Sequence, residues 1–162
     1  MIARPSTNIK MMQLFKSLPI AWVVLLLWFQ GHSTAEAVCP EHWTTDNDSC
    51  YILMEQKKTW KKAQSTCRKF GGNLATIANP SENHVLDKLL PETEAWIGLR
   101  DHVNEGTFKW IKTSTTPLWT NWAPGEPNNA RRNEYCVVIM PGGNWNDEPC
   151  SYIRKFICEK PA

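Results

Sequence analysis

The chain has 162 residues, of which 42% are apolar and 21% charged, with nine Trp. That is the composition of a globular chain of one domain or two small ones, and it excludes a disordered or fibrous protein. The net charge is only +2, and Arg4, Lys10, Lys16 and Glu36 all precede residue 38, so the remainder is formally neutral. This excludes the broad basic face of a nucleic-acid binder and a lysine-rich tail for anionic lipid.

Residues 1–37 read as an address. Met1 to Ser17 is polar and basic, and Leu18 to Phe29 is apolar. That run is about a dozen residues long, against the roughly 20 that a membrane helix needs. Ala35-Glu36-Ala37 then places small residues at the two positions a signal peptidase reads. Together they predict a secretory signal peptide, with a retained signal anchor as the other reading. The polar stretch is long, and Met11 or Met12 is an alternative start. The mature domain is then 38–162.

All six cysteines (Cys39, Cys50, Cys67, Cys136, Cys150 and Cys158) lie in that domain. An even count in an oxidising compartment predicts three disulfides, and spacing alone leaves the pairing open. A cysteine metal site is disfavoured, since no Cys-x-x-Cys occurs and His42, His84 and His102 sit beside no cysteine pair. Asn47-Asp48-Ser49 is an acceptor sequence for N-linked glycosylation.

Two helices come first and short strands after. Thr59 is placed to cap a helix whose apolar positions Trp60, Ala63, Cys67 and Phe70 recur at helical spacing, ended by Gly71-Gly72. Asn79 caps a second helix, Pro80 suits its first turn, and Glu82 completes a capping box. Val85, Leu86, Leu89 and Leu90 form its buried stripe, and Pro91 stops it. Strands are expected at 96–99, 107–111, 135–140 and 152–159. Between Ile111 and Tyr135 lies a stretch without periodicity, holding Pro117, Pro124, Gly125 and Pro127. A loop of that length in a compact domain is usually functional.

Within this loop lie Glu126-Pro127-Asn128 and Glu134, and Trp145-Asn146-Asp147 comes shortly after it. Glu126, Asn128, Glu134, Asn146 and Asp147 offer oxygen donors and no soft ligand. Such a set suits a hard cation, calcium above magnesium, because calcium takes six to eight oxygens in flexible geometry. A cis Pro127 would turn its two neighbours toward one point. Scattered acids and amides in a solvated loop are the plainer reading of composition alone.

The order and spacing of these motifs resemble a C-type lectin-like domain of the long form and of the Glu-Pro-Asn, mannose-type subclass. The resemblance runs from Cys39 to Cys158 and includes Trp96-Ile97-Gly98-Leu99. It implies an α+β fold, with two helices packed on small antiparallel sheets below a long loop region. It implies the pairs Cys39–Cys50, Cys67–Cys158 and Cys136–Cys150. It implies that Glu126, Asn128, Glu134, Asn146 and Asp147 hold a calcium ion, Asp147 adding its backbone carbonyl, and that two vicinal sugar hydroxyls complete the coordination. Glu126 and Glu134 then accept from those hydroxyls, and Asn128 and Asn146 donate to them.

The Glu-Pro-Asn order implies mannose, N-acetylglucosamine, glucose or fucose-type sugars. Galactose binders of the family more often carry Gln-Pro-Asp and an aromatic platform, whereas Asn129-Ala130-Arg131-Arg132-Asn133 has no aromatic. Asp101 and Glu105 match two ligands of the family's auxiliary calcium site. Asn129 and Tyr135 stand where acids are usual, so that second site is disfavoured and the two acids read as surface loop residues. Arg131 and Arg132 read as a solvated pair, with attraction of sialylated or sulfated glycans as the other reading. Trp43, Trp60, Trp96, Trp110 and Trp122 are assigned to the core, Trp145 to the underside of the calcium loop, and His84 to a helix surface.

The function expected is therefore a secreted, calcium-dependent lectin for glycans on microbes or glycoproteins. The alternative is a domain of the same fold that binds protein, mineral or ice. An enzyme is excluded by the lack of Gly-x-Ser-x-Gly, His-Glu-x-x-His or a phosphate loop. Contact through two hydroxyls is worth only about 4 kcal/mol, a millimolar affinity. Useful recognition needs several sites at once, so a non-covalent homo-oligomer is expected.

Overall fold

The computed structural model describes residues 38–101 and 106–162. The leader reading and Glu105 lie outside them. The chain opens with strands β1 (Thr44–Asp46) and β2 (Ser49–Lys58), then helix α1 (Trp60–Lys69), the short β3 (Asn73–Leu74) and helix α2 (Pro80–Asp87). Strands β4 (Ala95–Asp101) and β5 (Phe108–Trp110) precede the long loop, which contains a 3-10 turn at Ala130–Arg132. Strands β6 (Cys136–Ile139), β7 (Trp145–Glu148) and β8 (Arg154–Pro161) complete the domain. None of the described helices is long and apolar enough to cross a membrane.

The strands pair in the order β1-β2-β8-β4-β6-β7, with β3 on β8 and β5 on β4. All pairs are antiparallel except β4 with β8. The content is the α+β one expected, but the strands join into one network rather than separate small sheets. That network holds the domain's two ends together, because β8 pairs with β2 from Ser49↔Pro161 onward.

Side chains alternate across a strand, and here the alternation divides the core in two. Ala95, Ile97 and Leu99 of β4, Val137 and Ile139 of β6 and Ile157 of β8 enter one cluster with Leu86 of α2. Trp96, Val138, Phe156 and Cys158 enter the other, with Trp60, Ala63 and Cys67 of α1. Strands covered on both faces read as continuous apolar runs, as in Trp96-Ile97-Gly98-Leu99. Gly98 is required there by close approach: a Cβ would lie 2.6 Å from the Leu74 carbonyl oxygen. Its N–H donates to the Ala75 carbonyl at 2.7 Å.

The three disulfides are Cys39–Cys50, Cys67–Cys158 and Cys136–Cys150. The pair joining α1 to β8 spans 91 residues, and closing a loop of that size stabilises by about 4–5 kcal/mol in the chain-entropy picture.

Several local expectations need correction. Thr59 precedes α1 in an extended conformation, but its side chain makes no cap bond. Phe70 ends that helix and is 48% exposed. Gln64 is buried in its stead, accepting from the Leu74 N–H at 2.8 Å and donating to Asn73 Oδ1 at 2.8 Å. Asn79 does cap α2, accepting from the Glu82 N–H at 3.0 Å. The Glu82 carboxylate reaches back one residue further than a capping box requires, to the Ala78 N–H at 2.5 Å. Of the assigned core tryptophans, Trp60, Trp96 and Trp110 are buried, while Trp43 and Trp122 are only partly buried at the core margin. His84 is exposed, as expected of the helix surface.

Candidate functional site

The loop rests on an aromatic floor. Trp145 is fully buried, and Trp110, Trp119 and Trp122 meet its ring edge-on at 5.8, 5.5 and 5.8 Å. Each such pair is worth about 0.5–1.5 kcal/mol beyond area burial. The Trp145 indole N–H donates to Asn83 Oδ1 at 2.8 Å. Asn83 Nδ2 and Asn121 Nδ2 both donate to the Gly143 carbonyl, at 3.0 and 2.8 Å. The loop backbone is fastened to the same residue, Trp145 N–H donating to the Asn121 carbonyl and Ala123 N–H to the Trp145 carbonyl. A buried Trp therefore fixes the base from which the polar loop rises.

Above it, the Glu126–Pro127 peptide bond is cis. The Asn128 amide donates to Glu126 Oε1 at 2.8 Å, and the Asn128 N–H donates to Glu126 Oε2 at 3.1 Å. Asp147, delivered by β7 and fully buried, accepts from the Asn128 N–H through Oδ1 and from the Asn129 N–H through Oδ2, each at 3.0 Å. A second clip closes the insert: Ala130 N–H donates to Glu134 Oε2 at 2.7 Å, and Glu134 N–H donates to Asn129 Oδ1 at 3.1 Å. Asn129 is in the left-handed region, with φ at 43°, a conformation asparagine tolerates better than most residues.

Burial, and next the neighbouring Asp147 carboxylate, push the Glu126 carboxyl above its usual range. The Asn146 Oδ1 atom is buried and has no hydrogen-bond partner. A cavity of about 390 Å³ opens beside these groups, lined by Asn128, Glu134 and Asp147 together with Asp101, Phe108 and Asn129. Glu126 reaches this group through Asn128, and Asn146 through its place beside Asp147 in β7.

No Lys, Arg or His among the described residues forms an ion pair with Glu126, Glu134 or Asp147. Nor do three or more His, Cys, Asp or Glu of the described residues gather tightly enough to hold a metal by themselves. The donor set is instead a mixed one, carboxylates with amides. Its chemistry fits a hard cation in two respects: all its donors are oxygens, and one buried amide oxygen is left unsatisfied. A buried unpaired acceptor costs about 1–3 kcal/mol, a cost that a bound cation would offset.

Of the residues at the auxiliary-site positions, Asp101 and Tyr135 make local hydrogen bonds. Asp101 accepts from the Gly106 and Thr107 N–H groups at 2.8 and 3.1 Å, closing its own hairpin. The Tyr135 hydroxyl donates to the Arg132 carbonyl at 2.7 Å. Sequence reasoning missed the roles of Asn83, Asn121 and Asn129. Only Asn129 carried a signal, its place between two assigned ligands; Asn83 meets Trp145 across 62 residues, which no periodicity reveals.

Residues 56–160 match the Lectin C-type domain model. The chain belongs to the C-type lectin domain family, a family of binding domains rather than enzymes. A C-type lectin of Cerberus rynchops is 36% identical, covering 90% of this chain and 96% of that protein. The mannose-binding isoform of a C-type lectin from Oxyuranus scutellatus is 37% identical, over 81% and 89%. The low affinity immunoglobulin epsilon Fc receptor of Mus musculus is 34% identical over 87% of this chain, which spans only 42% of that receptor.

Among solved structures, the cow carbohydrate-recognition domain of CD23, determined in the presence of a GlcNAc2Man3 oligosaccharide, superposes with a TM-score of 0.72. It is 38% identical, over 78% of this chain and 98% of that one. A calcium-independent type II antifreeze protein also reaches 0.72, at 27% identity over 78% and 96%. The fold therefore serves more than sugar binding, and the loop chemistry must decide.

Proposed function

We propose that residues 38–162 form a secreted, calcium-dependent carbohydrate-recognition domain for mannose, N-acetylglucosamine or fucose-type sugars on microbes or glycoproteins. The observation that carries this reading is the unpartnered, buried Asn146 Oδ1, next in sequence to Asp147 in a loop region whose carboxylates have no basic partner among the described residues. Family membership and the likeness to a CD23 carbohydrate-recognition domain, determined in the presence of an oligosaccharide, support it.

Glu126, Asn128, Glu134, Asn146 and Asp147 would hold the ion. Calcium supplies positive charge and open coordination positions for two vicinal hydroxyls. The chain does the rest. Glu126 and Glu134 accept hydrogen bonds from the hydroxyls, and the Asn128 and Asn146 amides donate to them. Asp147 holds the Asn128 and Asn129 backbone in register from below. The Glu-Pro-Asn order favours mannose-type over galactose-type sugars, and the insert 129–133 brings no aromatic platform.

Secretion is supported by the leader sequence and by three disulfides, which persist in oxidising compartments. A non-covalent homo-oligomer is inferred from the weakness of a single two-hydroxyl contact; sedimentation should find dimers or larger species, and a monomer at high concentration contradicts it. Asn47 is proposed as a glycosylated residue, its φ of 49° placing it in a tight turn between β1 and β2. The test of function is a glycan array run with calcium and again with a chelator. Chelator-sensitive signal on mannose or N-acetylglucosamine termini is expected. Chelator-sensitive galactose signal overturns the specificity. No glycan signal from folded protein replaces the reading with a protein- or mineral-binding one.

A further inference from the structure

Beside the candidate site runs a second groove, of about 350 Å³, lined by Arg131, Asn133, Glu134, Ser151 and Tyr152 among others. Glu134 lines both this groove and the cavity described above. A ligand seated at the first can therefore pass over Glu134 into the second.

Arg131 lines the groove, and Arg132 adjoins it in the chain. Arg154, next to it in the chain, is engaged by Glu148 at 2.8 Å and by Glu94 at 3.0 Å. Arg131 and Arg132 are exposed, and their side chains have no ion pair or hydrogen bond among the described residues. Both hold positive φ, 57° and 56°. That region is uncommon for residues other than glycine and asparagine, so the backbone of this turn is strained. The one acid lining the groove, Glu134, is turned to the Ala130 N–H.

Tyr152, 48% exposed, adds a flat face. The Arg154 guanidinium packs 5.3 Å from its ring centre. The Asn133 and Ser151 side chains make no hydrogen bond to the described residues. Free cations, free hydrogen-bonding groups and an aromatic plane are what an acidic sugar engages.

We propose that this groove is an anion subsite, in which Arg131, assisted by Arg132, receives a sulfate or carboxylate on the sugar next to the one held at the primary site. The inference rests on the lectin reading and names its ligand class: acidic glycans are preferred over their neutral parents. An exposed charge-assisted contact is worth up to about 1 kcal/mol, or about fivefold in affinity.

The test pairs one mannose- or N-acetylglucosamine-terminated oligosaccharide with its sulfated and its sialylated forms, against the whole protein, in calcium and in chelator. Tighter binding of an acidic form by about fivefold is expected, fading in high salt. Whichever of the two forms gains identifies sulfate or carboxylate as the ligand group. The Arg131→Gln/Arg132→Gln double variant should bind the acidic form no better than the neutral one, with neutral binding unchanged. Equal affinity for neutral and acidic forms, or a preference that survives in the double variant, overturns the subsite and leaves the lectin reading intact. An acidic preference that persists in chelator and vanishes in the double variant keeps the subsite and overturns calcium dependence. No binding of any form overturns both.

Discussion

Glu159 and Glu148 lie within the strand network with cations of their own, whereas Glu126, Glu134 and Asp147 lie around the long loop with none. Glu159 is only 4% exposed. It takes Lys112 Nζ at 2.5 Å, the Thr76 N–H at 2.8 Å and the Ser49 hydroxyl at 3.2 Å. Glu148 takes Arg154 at 2.8 Å through one oxygen, and its other oxygen is buried without a partner. The loop acids have only backbone N–H groups and one amide. Buried charge is tolerated when it is paired and hydrogen-bonded. Glu159 meets that condition from within the chain, and Glu148 meets it at the oxygen that Arg154 takes; both serve structure. The loop acids have no cation of their own among the described residues, which is what a site for an external cation requires.

The widest separation between the two regions comes from Glu159→Ala. It should cost about 3 kcal/mol, the low end for a broken buried pair because Lys112 stays partly solvated. Urea denaturation should return that loss equally with calcium and with chelator.

The loop should behave in the opposite way. Calcium at 100 times its dissociation constant should stabilise the wild-type protein by about 2.7 kcal/mol. Glu126→Gln should remove most of that gain while leaving the chelated protein as stable as wild type or more so, because it removes a carboxylate crowded by Asp147. Asn146→Asp should lose metal affinity and a sugar donor together, and unchanged mannose binding would refute its assigned role. Thermal melts with and without calcium separate the three proteins.

Acid should sharpen the contrast further. Ligating carboxylates must be ionised, so glycan binding should fall as pH drops through the carboxylate range while the disulfide-linked sheet stays folded. Undiminished binding at about pH 4 contradicts the ligand assignment.

The smallest effect concerns Glu148. Burial, only partly offset by Arg154, raises its carboxyl above the ordinary value. The folded state then holds its proton to higher pH than the unfolded state. Its contribution is most favourable in acid and declines as pH rises through the folded value. The melting temperature of Glu148→Gln should therefore gain on that of wild type between acid and neutral pH. A constant difference would contradict the assignment.

How much of this is legible in the sequence depends on how local the cause is. Asn79-Pro80-Ser81-Glu82 carries its own helix start, and α2 begins there. Phe70 fits the helical spacing of Trp60, Ala63 and Cys67, yet it falls at the end of α1, where the chain turns away and exposes it. Strand β2 escapes a sequence reading, because its apolar half is followed by Glu55-Gln56-Lys57-Lys58 and its partner β8 lies about a hundred residues on. Strand β7 is hidden because Trp145-Asn146-Asp147 reads as a ligand motif. The loop motifs are legible as donors, but their mutual bonds are not. Asp147 meets Asn128 and Asn129 across 19 and 18 residues, and only the fold sets that approach. The clip from Asn83 to Trp145 is the extreme case, since a polar residue on a short helix reads as solvated until the sheet packs against it.

The central claim is that the loop acids await a cation the chain does not supply. Isothermal titration of calcium into the folded protein tests it most directly, with Glu126→Gln and Glu159→Gln beside the wild type. Saturable binding in the wild type and in Glu159→Gln, lost or much weakened in Glu126→Gln, is the predicted result. No saturable binding by folded wild type, or binding indifferent to Glu126→Gln, would contradict it.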